Sequence, residues 1–306
     1  MLEFTRIFDC IGRTPIIELD SLVNGVRILA KVEKMNPGGS SKDRAAMYIL
    51  RGGFLRGELR RGDTIVEATS GNMGISLAML GAAMGLKVRI VMPRGSSAER
   101  AALINAYGGE VIFTPADGGM SAATKEAERI AKRTGAFYTR QFENRDGMLA
   151  HYETTGAEIY EALMGVPDFL VAGVGTGGTL CGTAKHLKER GECQAVAVEP
   201  SESAVLSGGK PGAHGIPGIG AGFIPRLYDR RYIDRVARVS SAEAEFYTDA
   251  IPKRYGIGIG ISSGAAIAAA VKLANEEKSK AKLILVILPD GRERYLSTYI
   301  DRRCCN

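Results

Sequence analysis

Asn36-Pro37-Gly38-Gly39-Ser40-Ser41-Lys42-Asp43-Arg44 is the stretch of sequence around which the rest of the chain is organised. It follows a strand-like run at 26–33 and precedes an apolar, helix-like run at 45–55. Proline and two glycines predict a turn, and the two serines suit the cap of the following helix. Lys42 is thereby predicted at a helix start, where the positive end of the helix dipole disfavours a second positive charge and lowers the pKa of the lysine amine. A lowered pKa is what an amine needs in order to act as a nucleophile. Taken alone, the stretch favours a capped helix start with a solvated lysine.

The composition is that of an ordinary globular protein. Of the 306 residues, 45% are hydrophobic and 24% are charged, enough for one large domain or two lobes. Because the sequence shows no signal peptide and no apolar run of membrane-spanning length, we expect a cytoplasmic protein with no membrane partner. The net charge of +6 suits a small anionic ligand. No basic run is interleaved with aromatic residues, so we expect no nucleic-acid partner.

The cysteines and histidines carry no metal or disulfide signal. The five cysteines include no Cys-x-x-Cys pair, and the three histidines are scattered along the chain. Cys304 and Cys305 are adjacent, a poor geometry for a mutual disulfide. We therefore expect reduced thiols and no metal site.

Strand-like and helix-like runs alternate with short connections, which is typical of parallel sheets covered by helices on both faces. The alternation pauses at 140–145, resumes with a predicted long helix at 151–163, and pauses again in a glycine- and proline-rich segment at 201–225. An alanine-rich helix and a final strand at 283–288 follow. These patterns predict an α/β fold of two lobes, with the functional site in the cleft between them.

Three further strand-to-helix or loop-to-helix turns are candidates for ligand binding. Gly173-Val174-Gly175-Thr176-Gly177-Gly178-Thr179 lets backbone N–H groups converge on an anion, which favours a phosphate. Thr69-Ser70-Gly71-Asn72-Met73-Gly74 offers hydroxyls, an amide and helix-start N–H groups to a carboxylate, or is an ordinary N-cap. Gly260-Ile261-Ser262-Ser263-Gly264 places a serine that either caps a helix or contacts a ligand.

The glycines of the first of these turns leave another interpretation open. They match Gly-x-Gly-x-x-Gly, and Glu199 closes the next strand about twenty residues further on, as in dinucleotide-binding proteins. The motif lies in mid-chain rather than in a first β-α-β unit, and a lone match of this kind is weak. It also leaves Lys42 and the other turns without a role.

These stretches, in this order, resemble the fold-type II pyridoxal-phosphate enzymes, most closely the O-acetylserine sulfhydrylases (cysteine synthases), with the cystathionine β-synthases as relatives. The resemblance covers nearly the whole chain. It is also carried by Ile11-Gly12-Arg13-Thr14-Pro15, His151-Tyr152-Glu153-Thr154-Thr155-Gly156, Gly218-Ile219-Gly220-Ala221-Gly222 and Glu293-Arg294-Tyr295-Leu296-Ser297-Thr298.

The resemblance implies two three-layer α/β/α lobes with mainly parallel sheets, of the tryptophan synthase β-like type, with pyridoxal 5′-phosphate in the cleft. Residues 1–40 and 146–306 would form a larger lobe that anchors the cofactor. Residues 41–145 would form a smaller, mobile lobe that carries the loop for the substrate carboxylate. The implied partners are a small amino-acid substrate, sulfide or a thiol as nucleophile, and a second copy of the chain in a homodimer.

The resemblance also implies roles for individual positions. Lys42 would form the Schiff base with the cofactor and then act as the general base at the substrate Cα. Asn72 would donate to the 3′-oxygen of the pyridine ring, and Ser262 would face its nitrogen, with the adjacent Ser263 as the open alternative. The phosphate would be held by Gly175, Thr176, Gly177, Gly178 and Thr179. The substrate carboxylate would be held by Thr69, Ser70, Gly71, Asn72, Met73 and Gln141.

The implied reaction is β-replacement on O-acetyl-L-serine or an analogue, through an aminoacrylate, with sulfide giving L-cysteine. The alternatives are elimination or another replacement (hydrogen sulfide release from cysteine, lanthionine- or cystathionine-type synthesis, use of O-phosphoserine) and an inactive binding partner. Three places depart from the family's pattern. Met73 stands where a hydroxyl residue is usual, so we expect it to alter which substrate or nucleophile is accepted. The segment 288–293 and the Cys304-Cys305-Asn306 ending are the other two.

Overall fold

A computed structural model describes residues 6–277 and 282–297 of the chain; Thr298, Cys304 and Cys305 lie outside them. The strands are β1 (Ile16–Glu18), β2 (Arg27–Val32), β3 (Thr64–Ala68), β4 (Lys87–Pro93), β5 (Glu110–Thr114), β6 (Phe137–Tyr138), β7 (Phe169–Gly173), β8 (Gln194–Pro200), β9 (Arg235–Val239) and β10 (Leu283–Leu288). The helices are α1 (Lys42–Leu55), α2 (Asn72–Met84), α3 (Ala98–Ala106), α4 (Gly119–Thr134), α5 (Asp146–Ala150), α6 (Gly156–Leu163), α7 (Gly178–Lys188), α8 (Ser241–Tyr255) and α9 (Ile261–Glu276).

The strands form two sheets, one in each lobe. The larger sheet has the order β1-β2-β10-β7-β8-β9 and is parallel except for the antiparallel edge pair β1–β2. The smaller sheet has the order β5-β4-β3-β6 and is parallel throughout. The prediction of an α/β fold with mainly parallel sheets is confirmed.

The larger lobe is built around β10 and α9. β10 is an unbroken apolar run because helices cover both faces of its sheet, and it pairs with β2 on one side and β7 on the other. The alanines of α9 let that helix pack closely in the same core. At Gly264 a side chain would collide with the backbone oxygen of Ala244, so glycine sets the approach of α9 to α8. This packing fixes the start of α9 beside the end of β10.

The structure corrects the sequence-based elements in two places. The predicted start of the helix at 151–163 was wrong. The helical segment begins earlier, with α5, and passes through a π-helical turn, His151–Thr155, into α6. Asp146 and Gly147 are typical of a loop, but they form the first residues of α5, where the backbone of Gly147 packs against Gly178 at the start of α7. The two-residue β6, paired with β3, is too short to leave a periodic signal.

Cys10, Cys181 and Cys193 are free thiols. Across residues 6–277 and 282–297, no helix has the length and apolar character needed to cross a bilayer. The same residues contain no group of three or more His, Cys, Asp or Glu side chains that could hold a metal ion.

Candidate active site

The ligand-binding turns predicted from the sequence lie where strands of the two parallel sheets end. We call residues 36–42, after β2, the lysine turn; residues 69–73, after β3, the carboxylate turn; and residues 175–179, after β7, the phosphate turn. The serine turn, residues 260–264, opens α9. In open α/β sheets, ligands bind beyond the carboxyl ends of the strands, so three of these turns occupy the expected edge.

Three of the four turns meet at the segment that follows β10. Ser41 N donates to Pro289 O at 2.8 Å, and Gly260 N donates to Asp290 O at 3.1 Å. The side chain of Asn72 reaches the same place, where its Nδ2 donates to Asp290 Oδ2 at 2.7 Å. The lysine, carboxylate and serine turns are therefore one spatial cluster.

Lys42 is the first residue of α1, at a helix start as the sequence predicted, and α1 thus begins three residues before the apolar run at 45–55. Its backbone N donates to Ser40 Oγ at 3.3 Å, whereas the side chain of Ser41 caps nothing. Burial lowers the pKa of the Lys42 amine, and the negative charge of Asp290 opposes that shift. The pKa is lowered as the sequence predicted, with burial as the principal cause in place of the helix dipole.

The phosphate turn is enclosed by backbone from other parts of the larger lobe. Gly177 has a φ of +87° at the N-terminus of α7, a conformation that favours glycine. A side chain at Gly175 would collide with the backbone oxygen of Gly218, and one at Gly177 would press against Tyr228. The turn presents helix-start N–H groups, of which Gly178 N donates to Thr176 Oγ1 at 3.3 Å, and this arrangement suits a phosphate.

His151 lies behind the phosphate turn. Its Nε2 is 3.1 Å from Thr179 Oγ1 and its Nδ1 is 2.9 Å from Thr155 Oγ1. Burial lowers the pKa of His151 to about 3, opposed by the charge of Glu33 and assisted by that of Arg44, so the ring is neutral at ordinary pH. His151 thus joins the phosphate turn to the π-helical turn that contains Thr155.

Glu67 joins the carboxylate turn to Gln141. Its carboxyl group accepts from the Thr139 hydroxyl, from Gln141 N at 3.0 Å and from Ala68 N at 2.9 Å. Gln141 Nε2 donates to Ala68 O at 3.1 Å, directly before the turn. Burial raises the pKa of Glu67 to about 7, although these hydrogen bonds oppose the shift. The structure therefore places Gln141 beside the carboxylate turn.

The remaining part of the carboxylate turn is held by side chains. Gly71 N donates to Thr69 Oγ1 at 3.1 Å, and Arg100 Nη1 donates to Ser70 O at 3.1 Å. Arg100 is itself buried and stacks over the ring of Tyr295, with 5.0 Å from Cζ to the ring centroid.

Met73 points into the apolar core of the smaller lobe, together with alanines and aliphatic residues of α1 and α2. Only 2% of its surface is exposed. The core accommodates the thioether bulk that the sequence introduces here, while the hydroxyl usual at this position is missing.

Buried polar atoms without a partner in the described chain mark the centre of the cluster. They are Asn72 Oδ1, Ser263 Oγ and Asp290 Oδ1. Ser262 is also buried, and both serines lie at the start of α9. Because an unpaired buried polar atom costs about 1–3 kcal/mol, the site fits a ligand that carries several polar groups of its own. A phosphorylated pyridine with a ring oxygen has that chemistry.

Comparison with known proteins gives consistent results. Residues 7–290 match the model of the family described as pyridoxal-phosphate dependent enzyme. A cysteine synthase from Staphylococcus aureus strain Mu50 is 44% identical over 297 residues, which are 96% of each chain. A solved O-ureido-L-serine synthase aligns with a TM-score of 0.94 at 39% identity, over 98% of this chain and 96% of the other. A cysteine synthase from Entamoeba histolytica aligns with a TM-score of 0.93 at 40% identity, over 98% and 91%.

Proposed function

The chain belongs to the family of pyridoxal-phosphate dependent enzymes, and we propose that it catalyses β-replacement on O-acetyl-L-serine or an analogue, with sulfide as the nucleophile and L-cysteine as the product. The observation that carries the proposal is the similarity to a cysteine synthase along 96% of the chain. Within that length the lysine, carboxylate and phosphate turns are all present. In the net reaction acetate leaves Cβ, hydrosulfide adds there, and the Cα proton is removed and returned.

The site residues fit the cofactor. Lys42 would bind its aldehyde carbon, the phosphate turn would hold its phosphate, Asn72 would donate to its 3′-oxygen, and Ser262 or Ser263 would face its ring nitrogen. When bound, pyridoxal phosphate supplies an electron sink for negative charge at the substrate Cα. The protein's own part is to orient, bind and move protons. Burial disfavours the charged form of the Lys42 amine, so that amine is suited to take the Cα proton and give it back.

The substrate carboxylate would lie against the carboxylate turn. Thr69, Ser70 and Asn72 surround the N-terminus of α2, whose dipole favours an anion, and Gln141 lies alongside. Residues 41–145 would form the mobile lobe, so that binding of the carboxylate brings this turn toward the larger lobe. The family resemblance supports a homodimer and a cytoplasmic location.

A replacement with another nucleophile is the second candidate. The structural similarity to an O-ureido-L-serine synthase favours it, because that protein shares the fold over 98% of this chain. The substitution of a hydroxyl residue by Met73 in the carboxylate turn supports the same alternative.

The test begins with purified protein loaded with pyridoxal phosphate. We expect a visible absorption band that Lys42→Ala abolishes and that Lys87→Ala, a control at an exposed lysine, leaves intact. O-acetylserine with sulfide should give cysteine, and parallel reactions with O-phosphoserine, with hydroxyurea and with cysteine alone separate the alternatives. A colourless protein that binds a nicotinamide nucleotide instead would contradict the proposal.

A further inference from the structure

Asp290 is a buried carboxylate at the place where the lysine, carboxylate and serine turns meet. It follows β10 in the segment where the sequence departs from the family's pattern, and only 2% of its surface is exposed. Its Oδ2 accepts from Asn72 Nδ2 at 2.7 Å and from the hydroxyl of Tyr295 at 2.6 Å. Its Oδ1 has no partner in the described chain.

The backbone around Asp290 is held from two sides. Pro289 O receives the N–H of Ser41, next to Lys42, and Asp290 O receives the N–H of Gly260 at the start of α9. A side chain at position 260 would collide with the carboxylate of Asp290, so the carboxylate can occupy this place only because residue 260 is glycine. Asp290 is therefore fixed between the lysine turn and the serine turn before any ligand is bound.

The contact with Asn72 determines how the Asn72 amide faces. A primary amide is planar and has two N–H donors on one side and an oxygen on the other. With Nδ2 toward Asp290, one N–H is used and the second points elsewhere. A flipped amide would set Oδ1 of Asn72 against Oδ2 of Asp290, two acceptors in contact in a buried place, at a high cost in free energy.

We propose that Asp290 is a positioning residue of the cofactor site: it takes one N–H of the Asn72 amide and thereby directs the second toward the 3′-oxygen of the pyridine ring. The inference rests on the proposed function, since it concerns the same cofactor. Asp290 itself acts through Asn72 and needs no contact with the ring. An orienting partner of this kind matters because a donor that is already aimed loses less rotational freedom when the ligand binds.

The test is a double-mutant cycle on the affinity for pyridoxal phosphate, measured by equilibrium dialysis on the apoprotein. We expect Asp290→Ala to weaken binding about tenfold, as the loss of one oriented hydrogen bond does. In the Asn72→Ala background most of that loss should disappear, because the residue through which Asp290 positions the ring is gone and only the effect of its charge on Lys42 remains. The visible absorption maximum of the bound cofactor should shift in Asp290→Ala in the same direction as in Asn72→Ala.

Two controls separate positioning from simple structural support. Asp290→Asn keeps an acceptor oxygen and should recover most of the affinity for pyridoxal phosphate. Tyr295→Phe removes the other hydrogen-bond donor to Asp290 and leaves the contact between Asp290 and Asn72 in place. If Asp290→Ala does not fold, Asp290→Ser carries the test, because its hydroxyl is too short to reach Asn72. A loss that persists undiminished in the Asn72→Ala background, or an unchanged affinity in folded Asp290→Ala, overturns the proposal. Failure of the wild-type protein to take up pyridoxal phosphate would instead overturn the proposed function.

Discussion

The phosphate turn and the carboxylate turn are built on the same plan and held in different ways. Both follow a parallel strand and open a helix. The phosphate turn is enclosed by backbone, with Gly218 and Tyr228 in close approach and a neutral His151 behind it. The carboxylate turn is held by side chains, chiefly Glu67 and Arg100. The first is enclosed by backbone, and the second depends in part on a carboxyl group whose pKa burial raises to about 7.

The largest expected effect comes from adding one methyl group to each turn. Gly177→Ala must place a side chain at positive φ against Tyr228 and should weaken pyridoxal phosphate binding about a hundredfold or more. Gly71→Ala is the matched variant, since its φ is −120° and the nearest atom to a new side chain, Thr69 Oγ1, is 3.7 Å away. Its cofactor affinity should stay within about twofold of wild type by the same titration. Equal losses in the two variants would remove the distinction between the turns.

Glu67, which holds the carboxylate turn, is expected to make the stability of the fold depend on pH. Burial raises the pKa of Glu67 to about 7, so the folded state holds a proton that the unfolded state has released. This contribution is fully present below the unfolded pKa, near 4.5, and is lost as pH rises through about 7. Between pH 5 and pH 7 we expect the free energy of unfolding to fall by about 2 kcal/mol through Glu67.

Urea unfolding of wild type and Glu67→Gln at a series of pH values measures that loss. The difference in slope isolates Glu67 from Asp43, whose burial raises its pKa to about 6 and contributes with the same sign. Identical slopes would mean that the pKa of Glu67 is the same in the folded and unfolded states. His151 gives the opposite dependence: its lowered pKa removes stability as pH falls from 6.5 toward 3.

The smallest effect concerns Met73. Met73→Thr removes buried apolar volume and restores a hydroxyl, so it should lower the free energy of unfolding by about 1–2 kcal/mol and change the preference among substrates or nucleophiles about threefold. Met79→Thr, at a buried methionine of the same helix and core, should cost similar stability without changing that preference. Unfolding curves and competition between nucleophiles test both. An unchanged profile in Met73→Thr would show that position 73 acts only in packing.

Most of the fold was predictable because its signals are local. A few consecutive residues are enough to predict an unbroken apolar strand such as β10 or the glycine-rich turn ahead of α7. The exceptions are the start of the helix at Asp146 and the strand at Phe137–Tyr138, which depend on packing by distant residues. The predicted lobe boundaries stay predictions.

In the candidate site, the lysine, carboxylate and phosphate turns could be located from the sequence alone, since each is a contiguous pattern of glycine, hydroxyl and charged residues. The residues that surround them come from distant parts of the chain and depend on tertiary packing. Glu67 could have been suspected as a charge at the end of an apolar strand, but Asp290 contacts Asn72 from 218 positions away and leaves no mark in either stretch. Hydrogen bonds between buried groups depend on the packing of whole sheets. For that reason the three turns can be recognised in the sequence, while the residues that orient their side chains can be recognised only in the fold.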